Sequence, residues 1–153
     1  MKKAFFKKAL VALSILAVAG HADMALAHSG GGTIDPTGKN ANATDLAVVT
    51  CFDDGNGTPS RLTGQVKDFS SPVPGLLLSF HIYKGNQMTT STDSVSGDAS
   101  YSPPVSLNGG PGAYYISVTK TSAGARIFDV IWHCETEGGA AHTGTDIAVL
   151  QFQ

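Results

Sequence analysis

Three runs close the chain: Gly112-Ala-Tyr-Tyr-Ile-Ser-Val-Thr-Lys-Thr121, Arg126-Ile-Phe-Asp-Val-Ile-Trp-His-Cys134 and Asp146-Ile-Ala-Val-Leu-Gln-Phe-Gln153. Each is rich in β-branched and aromatic residues, and glycine-bearing turns separate them, so they predict a meander of antiparallel strands. Side chains alternate along a strand, so Phe128, Val130, Trp132 and Cys134 share one face of the middle run. The only other cysteine is Cys51, far upstream.

Working upstream, further strands follow the same logic. Leu76 to Tyr83 puts Leu76, Leu78, Phe80 and Ile82 on one face and Leu77, Ser79, His81 and Tyr83 on the other. Thr44 to Phe52 is β-prone and ends in Asp53-Asp-Gly-Asn-Gly-Thr-Pro59, a dense turn signal. Arg61 to Asp68 is a more polar strand, and the Thr- and Ser-rich run Gln87 to Ser94 suits an edge strand. One short strand falls between Asp98 and Asn108. No helical period stands out after the N-terminal segment. Seven or eight short strands divided by Gly, Pro and Asn turns predict an all-β antiparallel sandwich or barrel, with the sandwich of immunoglobulin or fibronectin III type preferred.

The N-terminal segment reads differently. Lys2, Lys3, Lys7 and Lys8 precede an apolar run from Ala9 to Gly20, and Ala25-Leu26-Ala27 fits a small-x-small cleavage pattern. This predicts a cleaved signal peptide over residues 1–27 and a periplasmic or secreted protein. The run falls short of the roughly 20 residues that span a bilayer, so no stable membrane anchor is expected. Residues 28–42, rich in Gly, Asn, Pro and Thr, are expected as a flexible arm, and residues 43–153 as a single domain. From residue 28 onward six Lys and Arg face eleven Asp and Glu, a net charge of 6 − 11 = −5. That argues against nucleic acid and anionic membrane surfaces as partners.

Gly112-Ala-Tyr114-Tyr115-Ile-Ser-Val118 resembles the glycine, tyrosine and alternating apolar pattern of a late strand in immunoglobulin-like and fibronectin type III-like domains. The resemblance implies architecture alone, since fold does not give function.

Two cysteines in an exported chain predict a Cys51–Cys134 disulfide. It closes a loop of more than 80 residues, for which chain entropy allows about 4 to 5 kcal/mol. Trp132, on the Cys134 face, is expected to pack beside it. Cupredoxins are sandwiches with a cysteine, a histidine and a methionine in the last loop; here His142 follows Cys134 but no methionine does.

Each cysteine opens an acidic, glycine-containing loop: Cys51-Phe-Asp-Asp-Gly-Asn-Gly57 and Cys134-Glu-Thr-Glu-Gly-Gly139. The disulfide is expected to bring both to one end, so that Asp53, Asp54, Asn56, Glu135 and Glu137 share a rim suited to a hard cation such as Ca²⁺. A second candidate site is histidine-based. Cleavage after Ala27 makes His28 the first residue, and its amine and imidazole can chelate Cu²⁺, with His133 and His142 as supporting ligands. This resembles the histidine brace of periplasmic copper carriers and of lytic polysaccharide monooxygenases.

No nucleophile elbow, phosphate loop or zinc motif is present. The sequence therefore points to a non-catalytic binding or accessory domain of a bacterial cell envelope, meeting a protein or cell-surface partner through loops or edge strands. The alternative is a periplasmic copper-binding protein, with a copper oxygenase as the weaker variant of that reading.

Overall fold

The structure, a computed structural model, describes residues 28–153. The signal peptide expected over residues 1–27 lies outside the described residues. Among the described residues there are nine strands: β1 (His28–Ile34), β2 (Asp45–Phe52), β3 (Arg61–Asp68), β4 (Leu78–Lys84), β5 (Gln87–Thr92), β6 (Val105–Asn108), β7 (Gly112–Lys120), β8 (Arg126–Glu135) and β9 (His142–Gln151). Every pairing is antiparallel. The order across the sheet is β5-β4-β7-β2-β9-β8-β3-β6, and β1 pairs with β8. The sheet curls into a nearly closed barrel. Its end strands β5 and β6 touch, and the Ser91 hydroxyl donates to the Pro103 carbonyl at 2.6 Å, but no ladder joins them.

Alternation decides which faces turn inward. Leu78, Phe80 and Ile82 of β4, Tyr114, Ile116 and Val118 of β7, and Phe128, Val130, Trp132 and Cys134 of β8 enter one core. Burying an aliphatic or phenyl side chain of this size is worth about 1.5–3 kcal/mol. The Phe80 ring lies against the backbone of β3 at Gly64, where a Cβ would sit 2.5 Å from the ring. The Tyr114 hydroxyl donates to the Gly110 carbonyl at 2.7 Å.

Two expectations are corrected. The closing runs are strands, but they do not form a meander. β7 lies between β4 and β2, while β8 lies beside β3, β1 and β9. The link Thr121 to Ala125 crosses from one half of the curled sheet to the other, and β8 pairs with β3 on one edge and with β1 and β9 on the other. Residues 28–42 also do not begin as a loose arm: His28–Ile34 is the ninth strand, in register from His28↔Trp132 to Ile34↔Arg126. Its glycines allow a close approach. A Cβ on Gly31 would lie 2.1 Å from the Phe128 carbonyl oxygen.

The rest of that segment is held by buried charge. Asp35 and Lys120 form an ion pair at 2.8 Å, with side chains 1% and 0% exposed. Lys120 also donates to the carbonyls of Asn40 and Ser122. Asp35 accepts from the backbone N–H groups of Lys39, Asn40 and Gly124. Burial alone raises the Asp35 carboxyl; the Lys120 bond and these N–H groups outweigh it and hold the carboxyl well below the usual range. A carboxyl depressed in the folded state takes up its proton first in the unfolded chain, so its stabilisation is present above about pH 4 and fades as pH falls below it. Asp35→Asn is expected to flatten the acid limb of a stability–pH curve measured by urea unfolding between pH 6 and pH 2; an unchanged limb counts against this assignment.

Cys51 and Cys134 are disulfide-bonded with Cα atoms 5.5 Å apart. Their strands, β2 and β8, are second neighbours across β9. Second neighbours in a flat sheet lie about 9 to 10 Å apart, so the bond marks a sharp fold of the sheet at β9. Cys51→Ala/Cys134→Ala is expected to lose about 2–5 kcal/mol in equilibrium unfolding; a loss below 1 kcal/mol would show that the corner holds without its bond.

Candidate functional sites

The disulfide brings the two acidic loops to one end of the barrel, as their sequence positions predict. The Ser60 N–H donates to the Glu135 carbonyl at 2.7 Å. The Thr143 hydroxyl lies 2.9 Å from the Phe52 carbonyl oxygen and 2.8 Å from that of Gly57. The carboxylates, however, do not converge into the expected calcium-type rim. Asp53 accepts from the N–H groups of Gly55 and Gly57 within its own exposed loop, and Asp54 accepts from the Asn56 N–H and, at 3.4 Å, from the Thr143 hydroxyl of β9. Glu137 is exposed in a 3₁₀ turn, Glu137–Gly139. Among the described residues, the one group of three or more His, Cys, Asp and Glu ligand atoms lying within 4.8 Å of one another is His133, Glu135 and His142.

Register builds that group. His133 and Glu135 are two apart on β8 and share its outer face, opposite Cys134. Glu135 pairs directly with His142 on β9 and with Arg61 on β3. Glu135 Oε1 is 3.0 Å from His133 Nε2. Its other oxygen, Oε2, accepts from Arg61 Nε and, at 2.8 Å, from the Thr63 hydroxyl. The two imidazoles stack with centroids 4.2 Å apart. Both Nδ1 atoms are buried and have no hydrogen-bond partner among the described residues. Burial and the neighbouring His142 push the His133 imidazole down, against the pull of Glu135. Burial raises the Glu135 carboxyl, but Thr63 and Arg61 bring it below its usual value.

His28 does not join this group. It pairs with Trp132, so its side chain is on the Trp132 side of the sheet, and its ring stacks on the indole at 6.4 Å. His133 follows Trp132 and points the other way. A copper brace combining His28, His133 and His142 is therefore split across two faces. His81 sits on the outer face of β4 with Nε2 2.8 Å from the Thr119 hydroxyl oxygen, and burial pushes its imidazole down.

A second feature had no signal in the sequence. β9 pairs with β8 only at Cys134↔Thr143 and Glu135↔His142. Beyond Thr143 it stays with β2 and leaves β8, and β1 occupies the vacated edge of β8. A slot opens between β1 and β9. Its cavity of about 290 Å³ is lined chiefly by apolar side chains, among them Ala47, Ile116, Val130, Trp132 and Ile147. The Cys134–Thr143 rung bounds one end. At the other, the Asp35 N–H donates to the Gln153 carbonyl at 2.6 Å. Val149 and Phe152, which also line the slot, are 52% and 65% exposed.

No protein-family model, curated protein or solved structure matches this chain. The class that can be stated is an all-β antiparallel barrel-like domain with one disulfide and two candidate sites, a His–Glu–His cluster and an apolar slot.

The slot depends on the close seat of β1. Gly31→Ala places a methyl group against the Phe128 carbonyl, so it is expected to lift β1 and speed hydrogen exchange of the Gly30 and Gly32 amides relative to those of β3. Unchanged exchange would show that β1 tolerates the added Cβ.

Proposed function

We propose that the protein is an exported, non-catalytic binding domain of the bacterial cell envelope, and that it takes apolar side chains of an extended protein segment into the slot between β1 and β9. The observation that carries this reading is the slot itself. Small closed barrels fill their interior with side chains, whereas here an apolar opening remains, rimmed by exposed Val149 and Phe152. Apolar concavities with exposed apolar rims mark sites of association. Along the slot, β1 and β9 each carry a ladder on one edge only, and a free edge is a template for an added strand. The net charge of −5 from residue 28 onward favours a protein partner over nucleic acid.

Export rests on the lysine-led apolar segment and Ala25-Leu26-Ala27, with the mature chain beginning at His28 in the periplasm or beyond the cell. The immunoglobulin-like reading of the curled sheet draws support from Tyr114, whose hydroxyl is tied to a carbonyl four residues upstream, and from Trp132 on the disulfide face of β8; both features recur in such sandwiches.

The test is selection of short random peptides displayed on phage against the folded, oxidised protein. Ala47→Phe, which fills the slot, serves as the control once its far-UV spectrum and disulfide match those of the wild type. Enriched peptides are expected to alternate apolar and polar residues and to bind Ala47→Phe at least about tenfold more weakly, a difference of about 1.4 kcal/mol. Equal binding to both proteins, or no enrichment over an unrelated β-domain, rejects the slot as the contact surface.

A further inference from the structure

The geometry points to a three-ligand site for a borderline divalent transition-metal ion, Zn²⁺ or Cu²⁺, made by His133, Glu135 and His142. This site is separate from the slot, and neither depends on the other.

The donor set fits such an ion. Two imidazoles and one carboxylate suit zinc or copper, with remaining positions for solvent or a ligand. A hard cation fits poorly. Calcium takes six to eight oxygen ligands, whereas this cluster has one carboxylate, and one of its oxygens already accepts from Arg61 and Thr63. Arg61 offsets the carboxylate charge, so affinity must come from nitrogen donors rather than from crowded negative charge.

The cluster is also unfinished as a purely structural element. Buried polar atoms are normally hydrogen-bonded, yet both Nδ1 atoms are buried and unpartnered among the described residues. Glu135 is 7% exposed and presents Oε1 toward His133. Its Oε2 is fixed by Arg61 and Thr63, the arrangement by which outer groups orient a carboxylate ligand. The backbone beneath is held too: Cys134, between two of the three ligands, is bonded to Cys51.

Stacked rings 4.2 Å apart and 17° from parallel do not aim in-plane lone pairs at one point. Binding therefore requires one ring to leave the stack. His142 is placed for this: it is half-buried, opens β9, and follows a turn containing Gly138 and Gly139 at positive φ. His133 lies mid-sheet and bonds Glu135. In this account His142 is the closing ligand, and metal binding unstacks the pair.

The experiment is titration of the oxidised protein with Zn²⁺ against a chromophoric chelator, repeated with His142→Ala and, as a control, with His28→Ala. One equivalent of Zn²⁺ is expected to bind the wild type. His142→Ala is expected to weaken binding at least about tenfold, and His28→Ala to leave it unchanged. A wild-type ratio well below one, or binding that survives His142→Ala, overturns the site; loss confined to His28→Ala assigns the metal to a terminal chelate instead. Imidazole resonances of the wild type provide a readout free of any folding defect. Those of His133 and His142 are expected to shift together, saturating at one equivalent, and resonances that do not move overturn the proposal. Peptide binding at the slot is scored separately, so failure here leaves that reading standing.

Discussion

The Cys51–Cys134 bond joins two strands that are not neighbours, and the form of the sheet follows from that distance. β2 and β8 flank β9, yet their cysteines are 5.5 Å apart at Cα, about half the second-neighbour spacing of a flat sheet. β9 must therefore run along a fold line. The corner is braced by polar contacts: the Cys134 N–H donates to the Thr145 hydroxyl oxygen at 3.1 Å, and the Thr145 hydroxyl donates to the Thr143 carbonyl at 2.9 Å. β9 keeps β2 and gives up β8 after two rungs.

Both candidate sites derive from this one fold line. Inside the barrel, the departure of β9 leaves apolar faces of β2, β7 and β8 without a covering strand. β1, with glycines in place of side chains, covers β8 but does not fill the space, and the slot remains. Outside the barrel, the two rungs that survive set Glu135 opposite His142 and bring His133 beside both. The apolar opening and the imidazole–carboxylate cluster thus lie on opposite faces of the same joint, one where β9 leaves β8 and one where it stays.

Buried charge closes the remaining ends. Asp35–Lys120 ties the segment after β1 to the end of β7. Arg126–Asp68, at 3.4 Å with side chains 3% and 1% exposed, ties the start of β8 to the end of β3, and Arg126 also donates to the Ser71 carbonyl at 2.7 Å. Each charge has hydrogen bonds beyond its ionic partner, which offsets the cost of removing it from water. These pairs fix where the chain crosses between the two halves of the sheet.

The sequence by itself determined the strands whose side chains alternate. Leu78-x-Phe80-x-Ile82 and Phe128-x-Val130-x-Trp132-x-Cys134 declare their buried faces, because a period of two is written in residue types. It also determined the disulfide, since two cysteines have one pairing available within the chain, and with it the meeting of the two acidic loops. His133 and His142 were legible as ligands flanking the second acidic loop, but Glu135 was read with the acidic rim, and its place with the two imidazoles was not legible. Only the tertiary structure decided matters of neighbour and register: that β7 and β8 are not adjacent, that His28 pairs with Trp132 and so faces away from His133, and that Asp53 bonds within its own loop and Asp54 there and to Thr143, rather than with Glu135. β1 escaped detection because Ser29-Gly-Gly-Gly-Thr33 has no apolar alternation to read. It is a strand because β8 had a free edge and because a backbone without side chains could come close to Phe128. Strand pairing belongs to the partner as much as to the strand, and a linear sequence does not state its partner.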